Sequence, residues 1–363
     1  MTEPVLERLT TAVYTFPTPG PEADGTLEWN ATTAVTVQLE AGGCRGLGWT
    51  YSSPAAAEIV RSHLAGAVHQ RNAVDIAGGW QAMHRAGRNL GTRGLYLQAM
   101  SAVDIAWWDL KARLLDVPLT RLLGRCRDSV PIYGSGGFTT LDERELADQV
   151  QWWRSVGCTA MKIKIGESWG TNVERDLQRV VQLGRVAGEG VELMVDANGG
   201  YTVGQALRVG AELDELGVRW FEEPVSSDDV NGLGQLRDRL RCDVTAGEYI
   251  AELCDARALV PVVDCLQLDA TRCGGYTGFL RASALAQAAN LQVSAHCAPS
   301  LHTAVAACIP NLRHVEWFAD HARLEPLLVD GVPRAEDGTL HWSDAAPGHG
   351  MQIGANAEQY RAG

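Results

Sequence analysis

From about residue 130 onward, short apolar runs alternate with longer stretches in which apolar residues recur at helical spacing. This is the pattern of βα units that feed a parallel sheet. The runs predict strands at Val130–Tyr133, Ala160–Ile165, Val191–Val195, Val218–Glu222, Asp243–Glu248, Cys265–Asp269, Gln292–His296 and Arg313–Trp317. Eight strands at near-regular spacing indicate a closed α/β barrel. An open doubly wound sheet would carry a glycine-rich fingerprint after its first strand, and Gly134-Ser135-Gly136-Gly137 does not match one. Upstream, Ala34–Glu40 alternates like a half-buried strand and Gly42-Gly43 suits a hairpin turn. Helical patterns then cover Pro54–Ala67 and Leu95–Leu115, the second closed by Pro118. The last stretch, rich in Gly331, Gly338, Pro347, Gly348, Gly350 and Gly354, is too loop-like for another βα unit and reads as a return pass onto the amino-terminal module. The expected division is a mixed α+β module over 1–128, a barrel over 129–330 and a return over 331–363.

The predicted strands end in charge where turn residues would be usual, which suggests one shared polar site. Asp196, Glu222 and Glu248 close three consecutive strands, each 26 positions after the one before, about one βα unit. Any one of them alone could be a solvated loop acid. As a set they would repel one another at a barrel mouth, and a hard divalent cation resolves that repulsion. All-oxygen ligands suit Mg2+, with Mn2+ next. Glu223 stands beside this set as a supporting acid.

Lys162 and Lys164 lie at i and i+2, so both face one side of a strand, with Met161, Ile163 and Ile165 on the other. Inside the barrel the two ammonium groups would lower each other's proton affinity, which suits a general base. His296 and Asp269 close adjacent strands, and a carboxylate on one ring nitrogen would leave the other as an effective acid or base. Glu316 in the eighth strand is either ionised or, if kept neutral, a hydrogen-bond donor. His302 reads as structural, and His314 and His321 are weaker candidates. Gly274-Gly275-Tyr276-Thr277-Gly278 reads as a tight turn before it reads as an anion cradle.

The whole chain narrows the context. At 363 residues, 46% hydrophobic and 21% charged, it can bury a sizeable core. A formal net charge of -13 argues against nucleic acid, so an anionic substrate must meet local positive charge. No apolar run approaches a membrane span, and Met1–Arg8 lacks the pattern of a secretory signal. Nine cysteines without a C-x-x-C pair fit a reducing cytoplasm better than disulfides or zinc.

The Lys-x-Lys of Lys162 and Lys164, the Asp-x-Asn of Asp196 and Asn198, Glu222-Glu223-Pro224, Gly247-Glu248, Asp269 and His296 occur in an order that resembles the enolase superfamily. Within it they resemble the mandelate racemase/muconate lactonizing enzyme subgroup, and the segment Ala102–Lys111 looks like that family's signature helix. The resemblance covers nearly the whole chain. It implies a (β/α)7β modified TIM barrel with an α+β capping domain built from both chain ends. It implies Mg2+ on Asp196, Glu222 and Glu248, with Lys164 as base on one substrate face and Lys162 helping to hold the substrate carboxylate. His296 with Asp269 would serve the other face, and Glu316 would hydrogen-bond the carboxylate. Further substrate contacts are implied at Asn198 and Ser135, and specificity from capping-domain loops, here Phe16–Trp29 and Gly48–Ser53, the latter carrying Trp49 and Tyr51.

The activity implied is removal of the α-proton of a small-molecule carboxylate through an enediolate. Dehydration of a sugar acid to a 2-keto-3-deoxy acid is the favoured outcome. Racemisation or epimerisation, and lactone or anhydro-sugar cycloisomerisation, are the alternatives, and a non-catalytic binding protein on the same barrel is the reading of another class. A homo-oligomer is the assembly usual among such proteins.

Overall fold

In the strand Glu28–Ala41 (β2), the side chains of Val35, Val37, Leu39 and Ala41 all point to one face and are fully or almost fully buried, as period-two alternation requires. β2 pairs antiparallel with Arg8–Ala23 (β1) and, through a turn in which Gly42 and Gly43 both take positive φ, with Cys44–Tyr51 (β3). The three-stranded sheet lies on the long helix Leu95–Leu114. Gly46 and Gly48 of β3 permit that approach, because a Cβ at either would strike the helix backbone at Ala106 or Ala102. The structure, a computed structural model, describes residues 3–362; Met1 and Thr2, the start of the amino-terminal stretch read above, and Gly363 lie outside them.

Eight parallel strands close on themselves in chain order: Val130–Gly136 (β4), Ala160–Lys164 (β5), Glu192–Asp196 (β6), Val218–Glu222 (β7), Asp243–Ala246 (β8), Cys265–Leu268 (β9), Gln292–Ala295 (β10) and Leu312–Phe318 (β11). The last pairs with the first, Val315 with Ile132 and Phe318 with Ser135. The molecule is thus a modified TIM barrel with an α+β capping domain. Helices between the strands cover the outside, as the parallel ladder demands.

Two expected loops are strands. Phe16–Trp29 is the far end of the β1–β2 hairpin, with a bulge between Pro17 and Glu22 and only Asp24–Leu27 left as a turn. Its prolines are tolerated because β1 is an edge strand. Gly48–Ser53 is mostly β3. The tail also departs from a simple return. Its strands Arg334–Glu336 and Thr339–His341 form a hairpin that first extends β4, Leu340 opposite Val130. Only afterwards does it reach the amino-terminal module, where His349 N–H donates to Asp109 (2.8 Å) and Ala362 N–H to the Val13 carbonyl (2.9 Å).

The helix Leu95–Leu114 is buried on nearly every side because it lies between the sheet and the barrel. Asp104 on it is fully buried and accepts from the Thr277 backbone N–H (3.0 Å) and hydroxyl (2.6 Å). Ser101 accepts from the N–H groups of Gly274 and Gly275. The Gly274–Gly278 run therefore docks the two domains, and its amides are not free to cradle an anion.

Burial pushes the Asp104 carboxyl up to about 7. The native state then holds a proton that the unfolded chain has already lost, so this group costs stability as pH rises from the unfolded carboxylate range through 7. Asp104→Asn should accordingly gain about 1–3 kcal/mol at about pH 8 and little at about pH 4, read from unfolding curves at both. A gain independent of pH would place the ionised form in the native state throughout.

Candidate active site

Asp196 ends β6 and stands in register with Glu222 at the end of β7. Glu248 follows β8 by two residues, beyond the φ +133° of Gly247. One carboxylate oxygen from each lies within 4.8 Å of the others, and all three side chains are buried. Burial and the neighbouring Asp196 push Glu222 up to about 8. Burial would raise Glu248 too, but His296, Arg272 and Lys164 outweigh it and hold it at about 2. Glu248 Oε2 has no hydrogen-bond partner although it is shut away from water. Three buried carboxylates with an unpartnered oxygen are the donor set a hard cation completes, and they fit Mg2+.

Lys162 and Lys164 both point into the barrel, while Met161, Ile163 and Ile165 join the core against the helices. Lys162 Nζ is 2.7 Å from both oxygens of Glu222, 2.9 Å from Glu316 and 3.2 Å from the Tyr133 hydroxyl. Lys164 donates to Asp196 at the mouth. The expected lowering of their proton affinity is absent. Burial acts in that direction, but Glu222 on Lys162 and Asp196 on Lys164 raise both above the usual lysine range. The carboxylates facing the pair outnumber the two ammonium groups, which a strand pattern read one element at a time does not reveal.

His296 Nδ1 is 3.0 Å from Asp269 Oδ2, the neighbour expected from adjacent strand ends. Its other nitrogen, Nε2, faces Glu248 Oε2 at 3.4 Å and Glu316 Oε2 at 3.8 Å. Burial opposes charging the ring, yet Glu248 and Asp269 raise it above the ordinary histidine value. Glu316 is held well below the usual carboxylate range: burial works against this, but Lys162 and His296 prevail. Of the two states left open above, these neighbours favour the ionised one. His302, expected to be structural, donates from Nδ1 to the Cys297 carbonyl (2.8 Å) and accepts at Nε2 from Ala270 N–H (2.8 Å), tying the ends of β9 and β10 together. His314 is buried below the mouth against Tyr133 and Trp220, whereas His321 reaches the cavity.

Part of this constellation opens into a cavity of about 300 Å3 whose walls include Lys164, Asn198, Glu248, Asp269, His296 and Tyr51, whereas Lys162, Asp196, Glu222 and Glu316 are buried and are not among its wall residues. A second cavity of about 210 Å3, between Trp80, Ile250 and Arg281, holds neither lysine and none of the three acids. Asn198 and Tyr51 therefore reach the site, Asn198 with an unpartnered buried Oδ1. Two other expected contacts do not. Ser135 is fully buried in β4 and spends its hydroxyl on Glu316 at 2.6 Å. Trp49 shares a face of β3 with Tyr51, two residues further on, but it is fully buried in the core, and only Tyr51 lies at the cavity wall.

One charged residue escaped the sequence reading. Arg272, three positions after Asp269, reaches Glu248 Oε1 at 2.9 Å and Asp269 Oδ2 at 3.4 Å, with its guanidinium over the Tyr249 ring. The Asp-x-x-Arg spacing past a strand end was the available signal. After His296 itself, Arg272 supplies the counter-charge that holds the Glu248 and Asp269 carboxyls below their usual range against burial.

A carboxylate trio flanked by a lysine and an aspartate-bound histidine, at the carboxyl end of a closed parallel barrel, defines a metal-dependent enzyme that moves protons on a carboxylate substrate. The sequence profile "Mandelate racemase / muconate lactonizing enzyme, N-terminal domain" matches residues 12–124, and "Enolase C-terminal domain-like" matches residues 145–357. The chain belongs to the mandelate racemase/muconate lactonizing enzyme subgroup of the enolase superfamily and is a Mg2+-dependent enzyme of that group. It is similar to a mandelate racemase/muconate lactonizing enzyme-like protein from Rubrobacter xylanophilus, 43% identical with TM-score 0.95 over 99% of this chain and 100% of that one. It is 32% identical to the 3,6-anhydro-alpha-L-galactonate cycloisomerase of Streptomyces coelicolor over 96% of this chain and 97% of the relative. It is 30% identical to the L-talarate/galactarate dehydratase of Salmonella typhimurium over 88% of this chain and 79% of the relative. The structure of that dehydratase liganded with Mg and L-lyxarohydroxamate gives TM-score 0.91 at 27% identity, over 99% of this chain and 94% of that one.

Proposed function

We propose that this enzyme removes the α-proton of a sugar acid and eliminates the β-hydroxyl, giving a 2-keto-3-deoxy acid. The observation that carries this reading is the placement of Lys164 on β5 and His296 beyond β10, across the mouth from each other, with the three acids between them. Asp196, Glu222 and Glu248 would hold Mg2+, which when bound supplies positive charge for the carboxylate oxygens as the α-carbon loses its proton. That charge also competes for the carboxylates that now hold Lys164 protonated, so Lys164 gains the freedom to accept a proton at Nζ.

Lys162, locked between Glu222 and Glu316, keeps an ammonium beside the substrate carboxylate. Glu316 can hydrogen-bond that carboxylate only after taking up a proton, which the incoming negative charge favours. His296, raised by Glu248 and Asp269, delivers a proton from Nε2 to the departing oxygen. Asn198, at the cavity wall, would orient a substrate hydroxyl.

The cycloisomerase relative at 32% identity supports a second reading on the same residues. In an anhydro sugar acid the β-oxygen belongs to a ring, so an identical elimination opens the ring and loses no water. A panel of sugar acids and anhydro sugar acids with Mg2+ in heavy water tests both. A 2-keto acid formed with loss of water supports dehydration, and a ring-opened isomer supports the second reading. Exchange or inversion at the α-carbon alone would replace both by epimerisation, and no exchange with any acid would remove the catalytic proposal.

We also propose a cytoplasmic homo-oligomer. Nine free thiols support the compartment, and no helix among the described residues is long and apolar enough to cross a membrane. Sedimentation showing a monomer alone would remove the oligomer.

A further inference from the structure

The reacting edge of His296 has a neighbour without a task in the elimination just proposed. Side chains of consecutive strand residues point to opposite faces, yet Cys297 and Ala298 take φ of 51° and 39°, a left-handed turn that folds the thiol back. Cys297 Sγ lies 3.2 Å from His296 Nε2, and Glu316 Oε2 lies 3.8 Å from the same nitrogen. One donor atom from each of the three falls within 4.8 Å of the others, and all three residues are buried.

We propose that His296, Cys297 and Glu316 form a site for a thiophilic divalent cation, Zn2+ or Cd2+, beside the all-oxygen set and chemically distinct from it. Nitrogen, sulfur and one oxygen are the donors such ions prefer, whereas Mg2+ selects oxygen and does not compete for a thiolate. The spacing is close to what is needed. Bonds of about 2.0–2.1 Å to nitrogen and oxygen and about 2.3 Å to sulfur span about 3.5 Å between N and S and about 3.3 Å between N and O across a tetrahedron. The observed 3.2 and 3.8 Å each differ by half an ångström or less.

The surroundings favour the same occupant. Asp269 holds one ring proton on Nδ1, so that loss of the other on binding leaves the Nε2 lone pair facing sulfur and oxygen, the carboxylate–histidine–metal arrangement that raises ligand basicity. Ser135 and Lys162 hold the other Glu316 oxygen and so fix the direction of Oε2. His296 and Cys297 both line the cavity, which leaves a fourth position open to water. On binding, the Cys297 thiol and His296 Nε2 each give a proton to solvent, and thiolate and carboxylate together balance the two charges of the cation.

A cation there occupies the nitrogen that the proposed function uses to deliver a proton, so it stops turnover. That consequence rests on the proposed function, and the site itself does not. Titration of Cd2+ into the Mg2+-saturated protein should give a thiolate-to-metal charge-transfer absorption that saturates near one equivalent. Cys297→Ser should lose it while keeping the Mg2+-dependent melting temperature. Asp269→Asn should weaken it about 10–100-fold. Cys254→Ser, which removes an exposed thiol, should leave it unchanged.

Superimposable titrations of the parent and Cys297→Ser would overturn the site. In a turnover assay, with each variant referred to its own rate before Cd2+, the parent should be inhibited and Cys297→Ser should resist. An absorption that depends on Cys297, together with undiminished turnover in the parent, would keep the site and overturn the role of His296 in proton delivery.

Discussion

Lys164→Ala should lower kcat by about 10²–10⁴-fold, the usual worth of a general base, with little change in fold. The side chain ends at the cavity on Asp196, and its removal leaves the barrel core, Lys162 and all three acids in place. Mg2+ should bind this variant more tightly, because a like charge has gone from beside Asp196. A structural role alone would lower the melting temperature and spare kcat. His296→Asn separates the two faces of the reaction. It should block elimination, yet an α-hydrogen facing Lys164 should still exchange with heavy water. Full turnover in Lys164→Ala would remove it from the base role, and loss of exchange in His296→Asn would show that the two groups do not act on separate faces.

Removal of divalent metal should have the larger effect, a loss of more than about 10⁴-fold in turnover, since electrostatic stabilisation of the developing charge usually contributes more to catalysis than any single proton transfer. The same change should appear without any substrate. Asp196, Glu222 and Glu248 are buried within 4.8 Å of one another, and Lys162 and Arg272, which face them, are shared with Glu316 and Asp269, so the carboxylates outnumber Lys162, Lys164 and Arg272. Mg2+ at about 100 times its Kd should therefore stabilise the protein by about 2.7 kcal/mol. Asp196→Asn removes one ligand charge and should abolish most of that shift in thermal unfolding. A parent protein whose melting temperature ignores both Mg2+ and chelator would show that the three acids hold no metal.

The barrel was legible because each of its strands carries an apolar run and is followed by a helix of regular period, and all but the first also carry a charged or titratable end. The convergence of the three acids and of the His296–Asp269 pair followed from those strand ends, since residues that close neighbouring parallel strands must share a mouth. The capping domain was less legible. Phe16–Trp29 looks like a loop because its prolines and glycines carry turn signals, and only its place at a sheet edge permits them in a strand. Ser135 and Trp49 failed as contacts for a related reason. Each lies in the right strand, but on a face or at a depth that packing alone assigns.

What the sequence by itself determined is the order of elements and the kind of atom at the end of each, because periodicity and strand direction are local properties. The charge states were decided only by the tertiary structure. Lys162 and Lys164 look like a pair that would depress each other, and the acids folded against them reverse that. Arg272 and Cys297 gain their meaning only where Glu248, Asp269 and His296 converge on them. Electrostatic energies fall off with distance in space and take no account of separation along the chain, so they cannot be summed until the fold has set which groups are neighbours.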